Sequence, residues 1–250
     1  MVNNDFYNEL TLEDWWQRIN HAVYFLRAET PIRIDFIKNN FPNLENKKVL
    51  DLGSGAGFIS IPLAQEGAQV TSVDLSERAL ELLAQKAGQE NCATNIQTVK
   101  ADITKLEEHY ALNIQPQSYD LVLAMDVLEH VKNPEQIVKR AKECLKPGGK
   151  FIFHTLNRSF ACWLLYLQAM PFLIKHYPKD VHLHEYNIKP QELNEWLKQN
   201  DFKLLQLLGI KAPFFQRGML ELIFTSQVKT PLDFVFTDNL SLGYIGLAEL

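Results

Sequence analysis

The sequence predicts an α/β protein: a mostly parallel, doubly wound sheet with helices on both faces. Three observations point to this. Short apolar runs of β type alternate with helical patterns from residue 47 to residue 156. A glycine-rich turn, "VLDLGSGAG" at residues 49–57, follows the first of these runs. The second run ends in an acidic residue, Asp74, about 20 residues further on. Strands separated by helices need crossover connections, so they run parallel and carry helices on both faces.

The elements follow in order. Residues 14–40 repeat apolar side chains at helical spacing, and Pro31 can open a new helix there; residues 1–45 are read as an N-terminal helical cap. "KKVLDLG" is the first strand, and "GFISIPLAQEG" a helix stopped by Gly67. "AQVTSVDLS" is the second strand, and "ERALELLAQKAGQ" a helix behind Ser76 as its N-cap. "IQTVKAD" and "YDLVLAMD" are the third and fourth strands. Asn133, Pro134 and Gln136 spell an N-cap, an N1 proline and a capping-box partner for a helix running to about Leu145. "LKPGGK" is a turn and "KFIFHTL" the fifth strand, closing a core over 46–156. An insertion at 157–190 then breaks the rhythm with a long apolar segment and several histidines. "PQELNEWLKQN" reads as a helix, and "FKLLQLLGI" and "GMLELIFTS" as late strands that complete the same domain over 191–250.

Composition narrows the function. A chain of 250 residues suits one large domain. Its net charge is −5, with no block of Lys or Arg, which argues against a nucleic-acid partner. Cys92, Cys144 and Cys162 are widely spaced and form no CxxC pair, as expected of a reducing compartment without a disulfide framework or cysteine zinc site. The opening "MVNNDFYNELTLEDWW" is polar and acidic, unlike a secretory or transit peptide, so a cytoplasmic location is expected.

Two stretches carry chemistry. In the first, Gly53, Gly55 and Gly57 allow a turn at positive φ and close backbone approach to a ligand, while Asp74 can accept hydrogen bonds from ribose hydroxyls. A generic glycine turn is the bland alternative. Strand, turn, helix and acidic strand end in that order favour a nucleotide-type cofactor site. Dinucleotide sites prefer GxGxxG, whereas this loop spells GxGxG. In the second stretch, "AMDVLEHVKNP" at 124–134, Asp126, Glu129 and His130 would share one face if a helical turn carried them. A metal site, a general base with its orienter and the polar rim of a loop are all open readings.

The pattern "hhDxGxGxG", with "KAD" after strand three, "YDLVLAMDVLEHV" and "LKPGGKFIF", resembles the class I S-adenosylmethionine-dependent methyltransferases, which have a Rossmann-like fold. This implies S-adenosylmethionine as cofactor, with NAD(P) the runner-up. The resemblance narrows to the ubiquinone-biosynthesis O-methyltransferases. "DWWQRINHAVYFLRAETPIRIDFI" keeps Trp15 and Trp16, with Gln17 for the family's usual Asp and "TPIR" for "NPLR". "FHTLNRS" is similar to "FSTLNR", and "HYPKDVHLHEYNIKPQEL" matches the family at Lys179, His182 and "IKP"; the tail is similar only loosely.

The resemblance implies methyl transfer to a ring hydroxyl of a polyprenyl-phenol or demethylubiquinol intermediate. It implies cofactor contacts from Arg33 to the carboxylate, Asp102 to adenine, and Gly53, Gly55, Gly57, Asp74 and Met125. It also implies a magnesium-type site at Asp126, which replaces the family's Glu, with Glu129 and His130. "LEH" followed shortly by proline also occurs in methyltransferases that need no metal, where the histidine lines the acceptor pocket. His130 and His182 are the catalytic candidates, and His21, His109, His154, His176 and His184 are read as bystanders. Two other functions stay open: an O-methyltransferase of a soluble catechol-like metabolite, and a non-catalytic subunit with this fold.

"FACWLLYLQAMPFLIKHYP" at 160–178 is too short and interrupted to span a bilayer, which needs ~20 apolar residues. It suits either a buried helix capping the acceptor pocket or an interfacial helix with Trp163, Tyr166 and Phe172 in the headgroup region and Lys175 snorkelling. A polyprenylated substrate favours reversible contact with the inner face of the membrane.

Overall fold

The computed structural model describes residues 5–19, 21–110, 114–174, 177 and 182–250. Five parallel strands form the first part of the sheet: β1 (Lys48–Leu52), β2 (Gln69–Asp74), β3 (Ile96–Lys100), β4 (Tyr119–Met125) and β5 (Leu145–Leu156). Three more strands extend it, β6 (Lys203–Lys211), β7 (Val235–Thr237) and β8 (Gly243–Glu249), giving the order β3-β2-β1-β4-β5-β8-β6-β7. The last strand, β8, inserts between β5 and β6 and runs antiparallel to both. Chain order reverses between β1 and β4, and a ligand crevice is expected there, outside the carboxyl ends of the strands.

The strands alternate faces as the pleat requires. Leu50 and Leu52 of β1, with Val122 and Ala124 of β4, pack with Ile137, Val138, Leu193 and Leu197. Val49, Leu121 and Leu123 point the other way, onto Phe36, Ile37 and Ile61. Among the described residues the helices are α1 (Leu12–Trp16), α2 (Tyr24–Asn40), α3 (Ser60–Gln65), α4 (Glu77–Gln89), α5 (Pro134–Cys144), α6 (Phe160–Cys162), α7 (Met170–Leu173), α8 (Pro190–Gln199) and α9 (Arg217–Thr225). A π-helical stretch, Trp163–Ala169, joins α6 to α7 within the insertion.

The N-terminal segment folds onto the core. Thr11 and Asp14 close a capping box on α1. Trp15 packs with Leu10, Val23, Ala56, Phe58 and Leu82, and Ser76 Oγ, capping α4 as expected, also donates to Asn8 at 2.6 Å.

Three sequence expectations change. "GMLELIFTS" lies in helix α9 rather than a strand, and the tail supplies the final strand β8. An apolar run of this length suits either period, and contacts of Leu222 with Tyr24, Ile174 and Leu232 favour the helix. "LKPGGK" is not a separate turn. It is absorbed into β5, whose pairing jumps from Tyr119–Leu145 to Leu121–Lys150, with Gly148 at φ +74° in the irregularity. Asn133 makes no side-chain cap on α5; it is its carbonyl that accepts the Gln136 amide.

Candidate active site

The crevice at the β1/β4 reversal is a cleft of about 220 Å³. After β1 the chain turns through Gly53 at φ +75°, and the amides of Gly53 and Ser54 donate to Val73 O at 2.8 and 3.0 Å. A Cβ on Gly53 would sit 2.4 Å from Val127 Cγ2, so only glycine fits. At Gly55 (φ +52°) a Cβ would come within 3.2 Å of the Trp15 ring that roofs the loop. Asp74 holds the turn from below, accepting the Gly55 and Ser76 amides at 2.8 Å each. Burial raises its carboxyl, and those amides oppose the rise.

Gly53, Gly55, Asp74, Asp102, Met125 and Arg33 all line this cleft. Six of the seven expected cofactor residues therefore come together from five segments. Gly57 does not line it. It lies under the loop, where a Cβ would meet Leu83 Cγ at 2.8 Å, so its role is packing. Asp102 also accepts the Thr104 amide and hydroxyl at 2.9 and 2.7 Å. Among the buried polar atoms of the lining residues, Arg33 Nε, Ser54 Oγ and Trp15 Nε1 have no hydrogen-bond partner among the described residues. A guanidinium N–H and a hydroxyl of this kind suit the carboxylate and polar groups of an amino-acid nucleoside such as the expected sulfonium cofactor.

A second, smaller cavity of about 60 Å³ adjoins the first, and Tyr7, Leu26, Arg33 and Asp126 line both. Its other walls include Glu29, Glu129, His154, Tyr166, Tyr177 and His182. His130 faces the cleft and His182 the cavity, with ring centroids 5.0 Å apart. Burial, with His182 nearby, pushes the His130 imidazole down to about 3. Burial likewise pushes His182 down to about 4. Both rings are therefore neutral near pH 7 and can accept a hydrogen bond from a hydroxyl.

Asp126, Glu129 and His130 do not form a metal-ligand set. Asp126 precedes the 3-10 turn Leu128–His130 and sits at φ +52°, so no single helical face carries the three. Its Oδ1 accepts from His154 Nδ1 at 2.5 Å, and its Oδ2 pairs with Arg33, which also pairs with Glu29. Burial opposes ionisation of Asp126, yet Arg33 and His154 hold its carboxyl well below the usual range. Glu129 accepts Thr155 Oγ1 on Oε2 at 2.7 Å, while its buried Oε1 has no partner among the described residues. Burial, and then the charge of Asp126, raise the Glu129 carboxyl. Among the described residues no group of three His, Cys, Asp or Glu side chains is placed to hold a metal ion. The arrangement does not support the ligand set implied by resemblance: the carboxylate of Asp126 is paired with a cation and an imidazole of the protein itself.

Sequence reading missed several residues of the site. Asp51 lines the cleft, and burial raises its carboxyl to about 6, against the hydrogen bond from Ser60 Oγ at 2.5 Å. It is the acidic letter of "hhDxGxGxG", a signal already in hand. Ser54 and Tyr7 line it as well. His154, read as a bystander, is buried in the Asp126 network. Tyr166, expected at a membrane surface, instead lines the cavity. Lys175, His176 and Lys179 lie outside the described residues.

Comparison with known proteins bears on the family and the fold. A family model described as a methyltransferase domain matches residues 24–207. Proteins named ubiquinone biosynthesis O-methyltransferase align from Idiomarina loihiensis, 39% identical over 80% of this chain and 78% of the relative, and from Klebsiella pneumoniae, 33% identical over 81% and 80%. A solved structure of magnesium protoporphyrin IX methyltransferase from Synechocystis with bound SAH superposes with a TM-score of 0.65 at 20% identity, covering 98% of this chain and 96% of the other. At that identity the likeness is one of fold.

Proposed function

The chain belongs to the ubiquinone biosynthesis O-methyltransferase family, and from that premise we propose that it moves a methyl group from S-adenosylmethionine to a ring hydroxyl of a polyprenyl-phenol or demethylubiquinol acceptor. One observation carries this reading. The cofactor cleft and a smaller cavity meet across Tyr7, Leu26, Arg33 and Asp126, so a methyl group at the end of the first faces a hydroxyl seated in the second. Seating both in line lowers the barrier by fixing the attack geometry.

In the proposed transfer, Arg33 takes the cofactor carboxylate, Asp74 the ribose hydroxyls and Asp102 the adenine side. The ring hydroxyl donates to neutral His182 or His130, and its proton passes to Glu129 Oε1. A carboxyl raised toward neutrality and left without a partner suits that task. The oxygen bonds the methyl carbon as the carbon–sulfur bond breaks, leaving S-adenosylhomocysteine. No magnesium step is included, because Asp126 is already paired on both oxygens.

The cavity is smaller than the about 150 Å³ that admits benzene, so seating a ring there requires its lining, which includes Tyr166 and Met170 of the insertion, to give way. On the same insertion Phe160, Leu164, Leu165 and Phe172 are exposed, Phe172 at 85%. We assign them to reversible contact with the bilayer that holds a polyprenyl tail. No helix among the described residues is long and apolar enough to cross a membrane.

The deciding experiment is methyl transfer from labelled S-adenosylmethionine to a prenylated demethylated acceptor and to a short soluble analogue, each with and without chelator. Product from the prenylated acceptor, at a rate unchanged by chelator, is expected. Product from the soluble catechol alone would move the assignment to that substrate class. Loss in chelator with recovery in Mg²⁺ would overturn the metal-free step, and cofactor binding without product would indicate a non-catalytic subunit.

A further inference from the structure

Four buried side chains form a closed network in the wall between cleft and cavity. Arg33 pairs with Glu29 and with Asp126 Oδ2; Asp126 Oδ1 meets His154 Nδ1 at 2.5 Å; and His154 Nε2 lies 3.9 Å from Glu29 Oε2. All four are at most 13% exposed. Because a carboxylate only accepts, His154 donates its Nδ1 proton to Asp126. The ring is held from behind by β8, where a Cβ on Gly243 would come within 3.1 Å of His154 Nε2. The backbone is tied as well, since the Asp126 amide donates to His154 O at 3.0 Å.

We infer that His154 is a positioning residue for cofactor binding: it holds the Asp126 carboxylate against Arg33, and so keeps the guanidinium turned with its unpartnered Nε available to the cofactor. The inference rests on reading the larger cleft as the S-adenosylmethionine site. Asp126 stands at positive φ on a short side chain, and its position depends on what grips each oxygen. Arg33 grips one and His154 the other. His154 itself lines only the acceptor cavity, not the cleft. A mere wall residue would therefore act on the acceptor, whereas a positioning residue acts across the wall on the cofactor.

The test uses His154→Leu, which keeps volume without the donor, and His154→Asn, whose amide can replace the Nδ1–H. Binding of S-adenosylhomocysteine is measured by calorimetry, and KM is measured for each substrate. His154→Leu should weaken S-adenosylhomocysteine by about tenfold or more, the scale of a lost hydrogen bond to a charged group. His154→Asn should restore most of that affinity. An effect confined to the acceptor KM, or equal weakening by Leu and Asn, would overturn the inference. Should His154→Leu fail to fold, nitrogen-15 NMR of the wild-type imidazole decides. The Nδ1 resonance should shift on saturation with S-adenosylhomocysteine, and an unmoved resonance would also overturn it. If the wild-type protein binds no S-adenosylhomocysteine at all, the cofactor reading fails first, and the two failures are thereby distinguished.

Discussion

The cofactor cleft and the acceptor cavity share a wall, yet they are built in opposite ways. The cleft takes its main features from the carboxyl ends of strands and the turns beyond them: Asp51 near the end of β1 and Gly53 to Gly55 after it, Asp74 at the end of β2, Asp102 after β3 and Met125 at the end of β4. Each residue is placed by its position in a βα repeat, so local pattern foretells it. The cavity draws on residues 6–7, 22–23, 25–26, 29, 33, 126, 129, 154, 156, 166, 170, 177 and 182, which no sequence period links. Its polar groups are strongly perturbed, with the His182 imidazole driven down by burial and the Glu129 carboxyl driven up. A site for a common cofactor can be written as a motif, while a site for a particular acceptor is written in packing.

The sharpest way to break this contrast is at the shared wall. Arg33→Met leaves Glu29 and Asp126 buried without their cation, which should cost about 3–5 kcal/mol of stability and abolish cofactor binding together. Denaturant unfolding and calorimetry check it, and loss of affinity at full stability would mean that the two carboxylates find other partners. Gly53→Ala strikes the cleft alone. The left-handed backbone and the 2.4 Å approach to Val127 predict about 2–4 kcal/mol of destabilisation, with weakened S-adenosylhomocysteine binding.

Acid strikes both sides of the wall, through His130 in the cleft and His182 in the cavity. His130 and His182 have folded-state values lowered to about 3 and about 4, against about 6.5 when unfolded. The unfolded chain thus takes up protons first. Stability should be full above pH 6.5 and fall as pH drops toward 4, by up to about 1 kcal/mol per pH unit per histidine. The same titration with His182→Asn should be shallower; an equal slope would place His182 in solvent.

Smaller changes sharpen the division. Tyr166→Trp should fill the cavity and raise the acceptor KM about tenfold while leaving cofactor affinity within about twofold, as steady-state kinetics would show. Phe160→Asp with Phe172→Asp should reduce sedimentation with anionic liposomes and leave transfer to a short soluble acceptor nearly intact. Unchanged sedimentation would remove the membrane assignment.

What the sequence by itself determined is the parallel αβ core and most of the cofactor loop. Gly53, Gly55 and Asp74 were legible because a tight turn at positive φ and an acidic strand end are local requirements, met by residue type at short spacing. Gly57 matched the same pattern but serves packing against Leu83, a contact with a helix more than twenty residues away. The helical state of "GMLELIFTS" and the entry of β8 between β5 and β6 were decided by partners far along the chain, since an apolar run fits either period until something packs on it. Tertiary structure alone decided the fate of "DVLEH". Whether Asp126 serves a metal or a guanidinium depends on Arg33 from α2 and His154 from β5, neither of them within 25 residues of it. Ionic and hydrogen-bond commitments of buried carboxylates are settled by what folding brings alongside, and residue identity does not reveal them.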